Sequence, residues 1–248
     1  MLRKLALVAA IIAVHANANA LTAGDLAFTA FNTDEDGWSL VTFVDIAGNT
    51  TIYFNDNEWN GSAVGAGGAF NSGEGYHTWN TGASVIAAGT VVRFTAVDQA
   101  TRSASVGTFS STGDSGLNAT AETLYAFLGT NNNTPTSFLT AVSTGGFSTA
   151  NGTLTNTGLT VGSSAVQLTS STDFAGYTGA RSGLSNFAAY KPLVNTSANW
   201  FMNVDGNGAA VLPDTTNFSV SAVPEPSENA MLLAGLGLMF FVIRRRLA

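Results

Sequence analysis

With 248 residues, 45% of them hydrophobic, 27 Gly and no Cys, the chain has apolar bulk enough for a packed core. The lack of Cys excludes a disulfide scaffold, a thiolate metal site and a cysteine nucleophile. The formal net charge of -7 is unevenly spread: residues 21–222 hold only Arg93, Arg102, Arg181 and Lys191 against fourteen Asp and Glu, which excludes the clustered basic surface that nucleic-acid binding needs.

Residues 1–20 read as a secretory signal peptide. Arg3 and Lys4 supply a positive start, Leu5 to Val14 is an apolar run, and Ala18-Asn19-Ala20 fits the small-x-small site of signal peptidase. A helix of ten residues rises about 15 Å, roughly half the hydrocarbon thickness of a bilayer, so this run is too short for a membrane span. Cleavage after Ala20 starts the mature chain at Leu21.

From Leu21 to Ala222 the pattern is all-β. Short runs rich in Phe, Val, Leu, Ile, Trp and Thr occur at Asp25 to Phe31, Trp38 to Ile46, Thr50 to Phe54, Thr90 to Phe94, Leu124 to Leu128, Phe138 to Val142, Ala165 to Leu168, Trp200 to Val204 and Phe218 to Val220. Turn-forming pairs punctuate them, among them Asp36-Gly37, Asn60-Gly61, Asn151-Gly152 and Asp205-Gly206. Apart from the two ends, no window longer than about ten residues holds a helical period. These features predict an antiparallel β-sandwich, immunoglobulin-like or similar. Ser143 to Ser164 is nearly all Ser, Thr, Gly and Asn, and reads as a long floppy surface loop or a boundary between two halves. Residues 120–220 alone carry few bulky strands, which favours one exported body over residues 21–222 with that loop inserted.

Within the body, several groups could carry chemistry. Asn32, Asp34 and Asp36, followed by Gly37, match the opening of a calcium-binding EF-hand loop. The twelfth position is Phe43 rather than a bidentate Glu, so an EF-hand itself is excluded and only a weak calcium turn remains, beside the alternative that these residues simply form a turn. Trp59, Tyr76 and Trp79 lie in one Gly-rich neighbourhood and could stack on sugar rings, or be buried. Asp56, Glu58 and Glu74 could furnish a carboxylate pair for glycoside hydrolysis. His77, Asp98 and Ser115 stand in the order of a serine-protease triad, with Ser115 inside Gly113-Asp114-Ser115-Gly116, but gaps of 21 and 17 residues leave no room for the barrels that carry such triads. His77 is the one histidine of residues 21–222, too few for a His-based zinc site.

The C-terminus carries the most specific pattern. Val223-Pro224-Glu225-Pro226 cannot be helical or mid-sheet and reads as an extended, protease-accessible linker. An apolar run from Ala230 to Ile243 follows, within a predicted transmembrane helix at about 228–243, and Arg244, Arg245 and Arg246 would stop transfer. Fourteen apolar residues rise only about 21 Å, short of a full bilayer. Residues 223–248 thereby resemble a PEP-CTERM sorting signal, the tripartite tail that an exosortase recognises and cleaves in exopolysaccharide-producing Gram-negative bacteria. The resemblance implies export through the inner membrane as a tethered precursor, processing by an exosortase-type membrane protease, and delivery to the cell surface or matrix.

The region from Gly24 to Val92 also resembles a recurring domain of secreted bacterial proteins, and distantly the immunoglobulin-like lamin-tail modules. The residues that carry this are Gly24-Asp25-Leu26-Ala27-Phe28, Phe43-Val44-Asp45-Ile46, Thr51-Ile52-Tyr53-Phe54 with Asn55-Asp56-Asn57-Glu58-Trp59, and Gly73-Glu74-Gly75 ahead of Trp79, with Gly158-Leu159-Thr160 and Asn199-Trp200 as further pieces of the pattern. It implies a β-sandwich and no catalytic residues. The expected function is that of an exported, non-catalytic surface or matrix protein. The alternatives are a polysaccharide- or calcium-binding matrix module and a secreted hydrolase. No cofactor is expected beyond calcium in the matrix-module alternative, where exopolysaccharide would be the partner.

Overall fold

Two sheets of six strands make up the computed structural model, which describes residues 20–221. The first contains β1 (Leu26–Asn32), β2 (Gly37–Thr42), β5 (Val91–Thr95), β6 (Ser103–Ala104), β11 (Thr172–Tyr177) and β12 (Trp200–Val204), in the order β12-β11-β1-β2-β5-β6. The second contains β3 (Thr51–Asn55), β4 (Gly75–Asn80), β7 (Thr108–Gly113), β8 (Thr123–Asn131), β9 (Thr134–Ser143) and β10 (Ala165–Gln167), in the order β10-β9-β8-β3-β4-β7. The chain thus crosses between the sheets repeatedly, and the expected all-β sandwich is what it forms. The one α-helix among the described residues, α1 (Lys191–Val194), is a single turn with Pro192 near its start, where the missing N–H costs nothing.

Side-chain parity explains the layering. Along β4, Gly75, His77 and Trp79 are buried while Tyr76, Thr78 and Asn80 are half-exposed, the period of two that a strand with one covered face must show. The inner faces meet in a core that includes Phe31, Trp38, Leu40 and Phe94 from the first sheet and Ile52, Phe54, Trp79 and Leu124 from the second. The Trp38 ring meets Phe54 of the second sheet in a tilted contact at 5.1 Å and stacks on Phe94 of its own sheet at 5.2 Å.

The second sheet is covered on its outer face as well. On β8, Leu124 and Ala126 face the inter-sheet core, whereas Tyr125 and Phe127 face outward into a separate cluster with Trp59, Phe70, Phe138 and Leu159. The segment 144–164 lies over this face. Its main chain accepts from the Tyr125 hydroxyl at Thr153 (3.1 Å) and from the Trp59 indole at Thr155 (3.2 Å). The Ser- and Gly-rich stretch packs as the cover of a second apolar layer. Its length also sets the direction of β10, which pairs parallel to β9 while the other strand pairs among the described residues of the two sheets are antiparallel. A parallel return needs a crossover of a dozen or more residues, and this segment provides it.

Four strands were not expected. β7 and β11 carry Ser, Gly and Asp, which are poor strand formers read alone, β6 has only two residues, and β4 is rich in polar side chains. The expected strand at Phe218 to Val220 is reduced to a single parallel bridge between Leu184 and Val220. The predicted signal and C-terminal helices lie outside the described residues.

Candidate functional site

The sugar-stacking trio does not assemble. Trp79 points into the inter-sheet core with its indole N–H donating to Val106 O (2.8 Å), and Trp59 lies on the opposite face of the sheet against Phe138 (5.0 Å) and Phe70 (5.3 Å). Both indoles are 0% exposed, so neither offers a plane to a ligand. Only Tyr76 is half-exposed. The expectation fails because a long apolar ring on a strand gains more by burial than a sugar platform can return.

The triad fails on geometry. The His77 Nδ1 lies 2.8 Å from Ser111 Oγ, not Ser115, whose hydroxyl donates to Gly113 O. The imidazole is buried, stacked on Phe109 and edge-on to Trp38, and burial followed by the Arg102 charge pulls its pKa down to about 3. A neutral histidine enclosed by aromatics is a core residue.

The calcium turn is used up by its own backbone. Asn32 Oδ1 accepts from the amides of Asp34 and Glu35 (3.0 Å each), and its Nδ2 donates to Gly208 O (2.9 Å). Asp34 accepts from the Gly208 amide and Asp36 from the Leu117 amide. Asp36 adopts a positive φ of 54°, the left-handed conformation that Asp tolerates in a turn. Asn32 and Asp34 both hold the loop at Gly208 while Asp36 holds that at Leu117, and among the described residues no group of three or more His, Cys, Asp or Glu is placed to hold a metal ion.

Part of the predicted carboxylate group does come together, with one member the sequence reading missed. Strand register puts the end of β3, the start of β4, the end of β7 and the start of β8 at one end of the second sheet, through the pairs Asn55–Tyr76, Gly75–Gly113 and Asn55–Tyr125. Asp56, Glu74 and Glu122 gather there, and Glu58 lies outermost, bonded to the side chain of Asn71. Asp56 is 2% exposed and neither of its carboxylate oxygens has a partner at hydrogen-bonding geometry. Burial, reinforced by the charges of Glu122 and Glu74, pushes its pKa up to about 9, and the nearby amides of Asp56 itself and Gly75 offset this only in part. Burial, with Glu74 next, pushes Glu122 up to about 8. Glu74 is also raised, by burial first and then by Glu58 and Asp114.

No cation of the body answers this cluster. Arg93 pairs with Glu35, Arg181 with Asp214 (3.1 Å) and Lys191 with Asp25 (3.1 Å), while Arg102 caps the carbonyls of Gln99 and Ser111. At neutral pH Asp56 and Glu122 therefore keep their protons. A general acid must also touch its substrate, and Asp56 and Glu122 are sealed at 2% and 5% exposure. A shallow depression of about 400 Å³ elsewhere, lined by Thr144, Gly145, Gly146, Gln167, Leu168, Thr169, Ser170 and Ser197, contains no ionisable side chain.

The last described residues lead to the chain's most specific feature. Residues 217–221 run as a strap across the body. Asn217 Oδ1 accepts from the Val91 amide (2.8 Å), and the amides of Phe218, Ser219 and Ser221 donate to Gly89, Arg181 and Leu184 carbonyls (2.8 Å each). Immediately beyond, residues 222–246 match the family model of the PEP-CTERM protein-sorting motif. The chain is a PEP-CTERM domain-containing protein. No curated protein and no solved structure matches it.

The PEP-CTERM motif makes this an exported protein sorted by an exosortase, a membrane enzyme, on a route towards the cell surface. The residues that carry the motif in the sequence, Val223, Pro224, Glu225 and Pro226, and the basic Arg244, Arg245 and Arg246, lie outside the described residues, as do Ala18 and the predicted helix at about 228–243. Ala20, at the expected signal cleavage point, is the first described residue and is exposed. Among the described residues no helix is long and apolar enough to cross a membrane.

Proposed function

We propose that the mature body is a non-catalytic component of the cell surface or extracellular matrix, delivered by signal peptidase cleavage near Ala20 and exosortase processing at the PEP motif. The observation that carries the reading is the match at residues 222–246, joined directly to a β-sandwich. The non-catalytic part is supported by the sealing of the acidic cluster and by the burial of His77 away from Ser115. In this reading exopolysaccharide is the surrounding medium rather than a ligand gripped by Trp59, Tyr76 and Trp79.

The decisive variant is the full chain with Pro224→Ala and Pro226→Ala. Losing both prolines changes the motif itself and removes its two φ restraints, so recognition by the protease should be lost. Most of the protein is then expected in the membrane fraction with its tail intact, by fractionation and mass spectrometry of the C-terminus. Release or surface display equal to that of the unaltered chain would overturn the reading.

A further inference from the structure

The strap at residues 217–221 leads directly into the sorting motif. Ser221 still donates its amide to Leu184 O (2.8 Å), and the matched motif starts at residue 222. Pro224 is three residues further, a reach of about 10 Å even when fully extended. A body of about 200 residues has a radius of gyration near 16 Å, so the short covalent reach from a docked Ser221 limits how far the start of the motif can extend from the body.

The strap is firmly built in. Phe218 is 4% exposed, with its ring 5.1 Å from Tyr190 and 5.9 Å from Tyr177 and the Arg181 guanidinium 5.0 Å above it. The Tyr190 hydroxyl donates to Ser219 O (2.7 Å), and Arg181 Nη1 donates to Thr216 O (3.0 Å). The seat is shaped for main chain: a Cβ at Gly89, whose φ is +87°, would lie 2.3 Å from Phe218 O. An extended peptide bound to another protein offers its backbone groups to that partner. In Phe218, Ser219 and Ser221 the amides are already taken by the body.

We propose that residues 217–221 act as a positioning strap, with Phe218 as its anchor. Docked, the strap withholds the residues on the N-terminal side of the PEP motif from the processing protease. Its release from the Gly89, Arg181 and Leu184 carbonyls precedes cleavage. This inference rests on the sorting reading above.

Processing of the full chain, followed by pulse-chase in cells that carry the exosortase, tests it through two changes, one beyond the core and one at its margin. About ten Gly and Ser residues inserted between Ser221 and Ala222 add roughly 17 Å of flexible reach and should speed conversion of precursor to product. Leu184→Cys with Val220→Cys joins the two bridged residues, which are about as far apart as neighbouring strands, in a chain that has no other Cys. Oxidised, this pair should make precursor accumulate, and a reductant should restore processing. Phe218→Ala should act in the direction of the insertion. Conversion at the unaltered rate in both the inserted chain and the oxidised pair would overturn the strap's role while leaving the sorting reading standing. No conversion of the unaltered chain would overturn both.

Discussion

Trp79→Ala is expected to cost the fold about 3–5 kcal/mol, the usual range for removing a large aromatic from a packed core. The indole is 0% exposed, its ring lies 5.2 Å from Phe94 across the sandwich, and its N–H is the donor to Val106 O. Truncation leaves a cavity between the sheets and an unpaired carbonyl, and domains of this kind have only about 5–15 kcal/mol in all. Trp59→Ala removes an equally buried ring from the outer cluster, which is held down by the loops rather than by a second sheet. There a Cβ at Gly68 would lie 2.5 Å from the indole, so loop main chain rests flat upon it. The expected pattern is a large drop in the urea midpoint for Trp79→Ala. Trp59→Ala should show a smaller drop, with faster amide exchange concentrated in residues 145–164. Equal midpoints with no local change in exchange would contradict the two-layer description.

Asp56→Asn is expected to stabilise the protein at neutral and alkaline pH, by on the order of a few kcal/mol. In the unfolded chain Asp56 ionises near the ordinary carboxylate value, whereas in the folded chain it keeps its proton up to about pH 9. The native state therefore binds more protons than the unfolded state between about pH 4 and pH 9. Stability must fall as pH rises through that window, by up to about 1.4 kcal/mol per pH unit from this one group, and level off above it. Glu122, raised to about 8, pulls in the same direction. An amide at position 56 cannot ionise and adds donors facing Glu122 and Glu74. Denaturation midpoints at pH 5, 7 and 9 should descend for the unaltered chain and run flatter for the variant. A midpoint that rises with pH, or two parallel profiles, would refute the buried, proton-held cluster.

The accuracy of the sequence reading follows the physics of each element. Strands built from Phe, Val, Leu and Trp were legible because their bulk must be buried wherever they fall, and the runs at Asp25 to Phe31 and Thr50 to Phe54 became β1 and β3 nearly in register. β7 was not legible, because Thr108–Gly113 is an edge strand held mainly by its ladder to β4, and main-chain bonds leave little mark in composition. The acidic cluster was half legible. Asp56 and Glu74 sit in neighbouring loops of the chain, whereas Glu122 arrives only because β8 pairs with β3. Glu58, a close sequence neighbour, ends up outermost. The aromatic trio erred for a related reason: proximity along the chain says nothing about which face of a sheet a ring meets.

What the sequence determined by itself was the address and the material. The PEP-CTERM motif is written in consecutive residues, and the all-β character follows from local bulk and turns. The tertiary structure alone decided which acids lose contact with water, that His77 meets Ser111, and that the strap docks up to the last residue before the motif. Those outcomes depend on strand pairing between residues far apart in the chain, and a buried charge, a hydrogen bond or a docked backbone exists only once that pairing has excluded solvent.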